Sequence, residues 1–154
     1  MNFSLHKYIS SNPLTKLINL TDDDRQKQFI KELSKSCSKG DVVIYYLKCG
    51  NDICGFIGIS SSKVDEIPCV HIDYLFVIEE YRSKIYKNLD NIKISQYLIK
   101  FIISLTKEIK QNIGLRWLAL NPDNDKLEKF YIDNFKFVKF KSKKDKLIYL
   151  FIAL

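Results

Sequence analysis

The longest periodic pattern in the chain runs through residues 93–113. Ile94, Tyr97, Leu98, Phe101, Ile102, Leu105 and Ile109 recur at i, i+3, i+4 and i+7. That spacing predicts a helix with one buried face, closed by Gly114. Other segments change period. "FSLHKYI" alternates and predicts a first strand. From Thr21, "TDDDRQKQFIKELSKSCSKG" has an acidic first turn and a terminal Gly40, which predicts a helix. "DVVIYYLKC" and "ICGFIGISSS", joined by "GND", predict a β-hairpin. "CVHIDYLFV" (69–77) and "LRWLAL" (115–120) predict strands on either side of the long helix. "NPDNDKLEKFYIDNFKF" (121–137) predicts a second amphipathic helix with Leu127, Phe130 and Tyr131 as its apolar positions. "FKFVKF" and "KLIYLFIAL" predict two antiparallel strands around the charged turn "KSKKDK".

The fold class expected is mixed α/β. A central, largely antiparallel sheet carries one parallel strand–helix–strand crossover over 69–120, with flanking helices. At 154 residues, a single domain spanning 1–154 is expected, large enough to bury a core.

Composition narrows the class. Apolar residues make up 46% of the chain, which excludes a disordered or fibrous protein. No apolar run has the length of a membrane span, and "MNFSLHKYIS" has no signal-peptide h-region. A soluble, cytoplasmic protein with no membrane partner is expected. Cys37, Cys49, Cys54 and Cys69 lack paired zinc spacings, so they read as buried small hydrophobes, and no metal is expected. The net charge of +7 comes from 25 basic residues, of which only Arg25, Arg82 and Arg116 are arginine. It favours an anionic partner, either a phosphorylated cofactor or a nucleic acid.

The crossover says where chemistry should sit. Ligands in such folds lie beyond the carboxyl ends of parallel strands, at a helix N-terminus whose N–H groups suit an anion. Here that place is occupied by "EEYRSKIYKNLDNIKIS".

The order of parts resembles the GNAT superfamily of acyl-CoA-dependent N-acetyltransferases over about residues 40–140. "IDYLFVIEEYR" resembles the strand leading into the family's Arg/Gln-x-x-Gly-x-Gly/Ala pyrophosphate loop, with Arg82 as the opening residue. "KISQYLIKFI" resembles the following helix. "NPDNDKLEKFY" resembles the Asn-x-x-Ala-x-x-Phe/Leu-Tyr signature, with Asn124 and Tyr131 on the Asn and Tyr. Leu127 stands where Ala is usual. The departures are eight extra residues, "IYKNLDNI", between Lys84 and Lys93, and the absence of Gly-Phe after Tyr131. With the insertion removed, Lys93 and Ser95 fall on the two small-residue positions.

The resemblance implies direct attack of an amine on the thioester of acetyl-CoA. It implies that the strand before the loop is bent by a bulge and splays from its neighbour. The backbone of Leu75, Phe76 and Val77 would then pair with the pantetheine arm. Arg82, Ser83, Lys84 and the amides near Lys93, Ile94 and Ser95 would meet pyrophosphate. Asn124 would help to fix the arm, and Tyr131 would protonate the departing thiolate. A phenol has pKa near 10 and a thiol near 8.5, so full transfer is uphill by roughly 2 kcal/mol in reference conditions. His71 and Asp73 fall where family members place a base, with water as the third source of deprotonation. The acceptor is left as a small amine, a peptide or protein amine, or an aminoacyl-tRNA as in toxin-like members, and a homodimer stays open. The competing readings are a non-catalytic acyl-CoA-binding or regulatory module, motivated by the insertion, and a nucleic-acid binder without chemistry.

Overall fold

The computed structural model describes residues 2–8 and 14–154. Seven strands and four α-helices follow in order: β1 (Phe3–Lys7), α1 (Leu14–Leu17), α2 (Asp24–Ser38), β2 (Val43–Cys49), β3 (Asp52–Val64), β4 (Ile67–Val77), α3 (Ile94–Asn112), β5 (Trp117–Leu120), α4 (Asp125–Phe135), β6 (Val138–Lys141) and β7 (Ile148–Ala153). Short 3₁₀ turns at Ile18–Leu20, Glu79–Tyr81 and Lys87–Leu89 join them. Every predicted element is present within a few residues. The first strand ends at Lys7, and Ile9, included in its predicted span, lies outside the described residues.

The strands hydrogen-bond in the order β1-β2-β3-β4-β5-β7-β6. The β1–β2, β2–β3, β5–β7 and β6–β7 pairs are antiparallel. β4 and β5 are parallel, the crossover expected over 69–120.

The chain forms two compact units, Met1–Ser60 with Tyr74–Ile99, and Ser61–Asp73 with Lys100–Leu154. In the first, α2 is capped by Asp23, whose carboxylate accepts the Gln26 N–H at 2.8 Å. That cap starts the helix three residues later than the Thr21 boundary. The Thr21 hydroxyl accepts the Asp23 N–H and donates to Gln26 Oε1. Ile30 and Leu33 then bury against Ile44, Phe56 and Phe76. Fully burying an aliphatic or Phe side chain contributes roughly 1.5–3 kcal/mol. Gly58 makes room for Leu33, because a Cβ there would stand 2.6 Å from Leu33 Cδ1.

The second unit has its own core of Val64, Cys69, Ala119 and Tyr149, lined by Trp117, Phe140 and Phe151. Trp117 and Phe151 stack at 4.1 Å. The β6–β7 turn is held by Asp65, which accepts the Ser142 hydroxyl at 2.6 Å and the N–H groups of Lys143 and Lys144. These three donors hold the Asp65 carboxyl below its ordinary pKa, with the Ser142 bond contributing most. Cys54 and Cys69 are buried as expected, whereas Cys37 and Cys49 are only half-buried; all four are free thiols. No described helix is long and apolar enough to cross a membrane.

Candidate active site

β4 outruns its parallel neighbour. The paired residues are Cys69 with Trp117, Val70 with Leu118, His71 with Ala119 and Ile72 with Leu120, and there β5 ends. β4 continues to Val77. An extended strand rises about 3.3 Å per residue, so several residues of backbone, including Leu75, Phe76 and Val77, run on without a partner in β5.

Within the first unit, the loop after β4 carries the cations. Arg82 is exposed, and its Nε–H donates to the Val77 carbonyl at 2.6 Å. Its guanidinium lies over the Phe76 ring, 5.4 Å from the centroid. Ser83 sits at φ 61, a left-handed conformation unusual for serine and of the kind that gathers at ligand-binding loops. Lys84 is exposed. The eight-residue insertion is closed on itself. Tyr86 N–H donates to the Ile92 carbonyl, and the Leu89 and Asn91 N–H groups donate to the Tyr86 carbonyl. Tyr86 and Leu89 are buried, and Phe3 meets the Tyr86 ring edge-on at 5.2 Å. The chain therefore leaves this loop near where it entered it.

α3 begins directly afterwards. Lys93 N–H is taken by Gln96 Oε1 at 3.0 Å, as in a capping box. The first helical N–H groups, at Ile94 and Ser95, have no acceptor within the helix. Ile94 is buried, and Lys93 and Ser95 are half-buried. Gly55 of β3 makes the close approach possible. A Cβ on it would fall 2.9 Å from the Phe76 carbonyl oxygen and 3.2 Å from Ile94 Cγ2. A glycine inside a strand is the one sequence signal that would have exposed this residue's role.

A cavity of 570 Å³ opens in the same unit on the α2 side of β4. Its lining combines the apolar Leu20, Phe76 and Ile78 with the acidic Asp22, Asp23, Glu79 and Glu80 and with Arg82.

The second unit holds the remaining candidates. His71 Nδ1 lies 2.7 Å from Asp73 Oδ1, and its Nε2 lies 2.9 Å from Asn121 Oδ1. Burial works against a charge on His71. The Asp73 and Asn121 hydrogen bonds and the Asp73 charge outweigh it and hold the imidazole pKa above its ordinary value. Asn121, whose sequence context carries no signal, also donates to the Ile148 carbonyl at 2.9 Å.

Asn124 is the N-cap of α4, its Oδ1 accepting the Leu127 N–H at 2.9 Å. Seven residues later, two helical turns on, Tyr131 lies on the same side of the helix. It is only 4% exposed. Its ring meets Phe130 and Phe137 edge-on at 5.2 and 5.3 Å. Its hydroxyl makes no hydrogen bond among the described residues. Burial, with help from the Asp123 carboxylate, pushes the phenol pKa up. It therefore remains a protonated donor. Tyr131 is the buried residue of α4. Leu127 is 36% exposed and Phe130 half-buried, so the apolar face predicted for this helix, with Phe130 in the core, narrows to one aromatic. Among the described residues no group of three His, Cys, Asp or Glu is placed to hold a metal.

No family model and no curated protein matches the chain in sequence. Solved structures do match in shape. AtaTR bound with acetyl-CoA superposes with a TM-score of 0.76 at 13% identity, over 98% of this chain and 92% of that one. AtaT complexed with acetyl-methionyl-tRNAfMet gives 0.74 at 12% identity, over 99% and 95%. A bacterial toxin gives 0.76 at 17% identity, over 99% and 90%. The chain has the GNAT fold. The β2–β3 register shifts between Leu47 and Lys48, where Cys54 of β3 is the extra residue.

Proposed function

We propose that this protein is an acetyl-CoA-dependent N-acetyltransferase. The observation that carries the reading is the early end of β5 opposite Ile72 while β4 runs on to Val77. Such a strand has backbone donors and acceptors to spare, and a pantetheine arm is an amide chain that can pair with them. Pyrophosphate is assigned to Arg82, Ser83, Lys84 and the N–H groups of Ile94 and Ser95. Lys93 contributes its ammonium, because its N–H is already used by Gln96. Arg82 would exchange its bond to Val77 O for phosphate, which also frees that carbonyl. Asn124 retains an amide nitrogen to offer while its oxygen caps α4.

The amine attacks the thioester carbon, a tetrahedral intermediate forms, and the C–S bond breaks as the carbonyl returns. The sulfur leaves as thiolate, and the proton that the attacking nitrogen sheds passes to water. Tyr131 donates a hydrogen bond to the thiolate. Because burial raises this phenol's pKa, stabilisation by hydrogen bonding is favoured over full proton transfer. No metal takes part in this scheme.

The acceptor reading follows from the cavity beside Phe76. Its lining holds four acidic residues against one arginine, which supports a cationic amine with an apolar body. A second reading names the acceptor as an aminoacyl-tRNA, and the likeness to AtaT complexed with acetyl-methionyl-tRNAfMet favours it. Its α-amine suits the site, since an amine of pKa near 7.8 is about 14% neutral at pH 7 without a base. The experiment is acetyl-CoA titration by calorimetry, followed by mass-spectrometric detection of acetylated product from a panel of amines, peptides and charged tRNA. Binding without any product across the panel favours the non-catalytic module.

A further inference from the structure

His71 and Asn121 stand where the β4–β5 pairing ends. The last paired residues are Ile72 and Leu120, and Asn121 is the next residue of the chain. A side-chain link continues the ladder there, His71 Nε2 lying 2.9 Å from Asn121 Oδ1. The orientation of the amide is fixed without reference to the histidine. Asn121 Nδ2 is 2.9 Å from the Ile148 carbonyl oxygen. That oxygen can only accept, so the amide nitrogen faces Ile148 and the amide oxygen faces His71. The amide oxygen also only accepts, so Nε2 has to donate. Across the ring, Nδ1 is 2.7 Å from Asp73 Oδ1. An ionised carboxylate accepts only, so Nδ1 donates as well. A ring that donates from both nitrogens is an imidazolium.

We propose that Asn121 holds His71 as an imidazolium pin at the end of the β4–β5 pairing, making His71 a positioning residue with no lone pair to take the acceptor's proton. The charge assignment stands without the acetyltransferase reading; its consequence for transfer rests on that reading. The groups around the ring agree. Asp73 faces it from β4. Tyr149 of β7 meets it edge-on at 6.5 Å, and this phenol, which donates to Asp145 at 2.6 Å, is pushed up to about 12 by burial and by Asp145. Cys69, two residues back on β4, is a buried thiol pushed up to about 11 by burial and by the Asp73 charge. Both stay neutral at physiological pH, which leaves Asp73 as the full charge that the ring answers.

The test is direct because the chain has two histidines, His6 and His71. A ¹⁵N-edited NMR titration, with His6→Gln to assign the signals, reports the protonation of each ring nitrogen. Both His71 nitrogens should be protonated near neutral pH, with a midpoint above the ordinary value of about 6.5. Asn121→Ala should lower that midpoint, and Asn121→Asp should raise it. A bare Nε2 in the folded wild type at about pH 6 overturns the proposal, as does a midpoint that neither variant moves. The wild-type spectrum decides even where a variant fails to fold. For transfer, His71→Gln should raise KM for acetyl-CoA by a larger factor than it lowers kcat. A kcat loss of about 10²-fold or more at constant KM makes His71 the base and overturns its role as a pin. Failure to bind acetyl-CoA at all would instead remove the acetyltransferase reading and leave the NMR result standing.

Discussion

Gly55 lies directly against Ile94, the first residue of α3: a Cβ at position 55 would come within 3.2 Å of Ile94 Cγ2, and within 2.9 Å of the Phe76 carbonyl oxygen. The helix N-terminus assigned to pyrophosphate and the β4 backbone assigned to pantetheine both rest on one absent side chain. Gly55→Ala has no flexible neighbour to displace at the carbonyl. It should destabilise the fold by about 1–3 kcal/mol, as overpacking does, and weaken acetyl-CoA binding beyond what the lost stability explains. Gly58→Ala is the control. Its Cβ meets Leu33 in the α2 core, so it should lower Tm while the folded fraction keeps its acetyl-CoA affinity.

Arg82→Ala should weaken acetyl-CoA binding more at low salt than at high salt, because it removes a charge-assisted phosphate contact. It also removes the bond to Val77 O and the contact with the Phe76 ring. Titration at two ionic strengths checks this. An equal effect at both salts would assign Arg82 to the packing of the β4 end.

Stability should carry the signature of His71. Its pKa is raised in the fold, with its two hydrogen bonds outweighing burial. Its contribution is therefore complete below the unfolded value of about 6.5 and disappears as pH rises through the folded value. Urea midpoints at a series of pH values should show that loss in the wild type and a smaller one in Asn121→Ala. The carboxyl of Asp65 acts in the opposite sense. Its pKa is lowered, so its contribution is present above the unfolded carboxyl value and is lost in acid.

The sheet, the crossover and the long helix were legible because they rest on periodicity. Ile94, Leu98 and Ile102 are buried as their spacing predicts. What pattern did not carry was side-chain direction. Arg82 folds back onto its own strand, and nothing in "EEYR" distinguishes that rotamer from one reaching outward. The insertion looked like an intrusion in the phosphate loop. Its closure depends on Asp90 and Asn91 adopting positive φ and on Tyr86 pairing with Ile92. Asn121 was invisible because its partners, His71 and Ile148 among them, are distant in sequence. The α4 face was drawn too broadly, since a single buried Tyr131 satisfies its packing.

Acetyl-CoA at about 100 times its dissociation constant should stabilise the fold by about 2.7 kcal/mol. A thermal shift that is equal with acetyl-CoA and CoA assigns the affinity to the nucleotide and pantetheine. A shift with neither would remove the cofactor assignment.

Tyr131→Phe tests the account most directly, because it removes one oxygen from a ring whose hydroxyl has no partner among the described residues. The measurement is single-turnover acetyl transfer, by quenched-flow with mass detection, using an acceptor found in the amine, peptide and charged-tRNA panel. The chemical step should fall by about 10²–10³-fold, with acetyl-CoA affinity and Tm close to those of the wild type. Transfer at the wild-type rate, with Tm displaced instead, would contradict it and make Tyr131 a core aromatic.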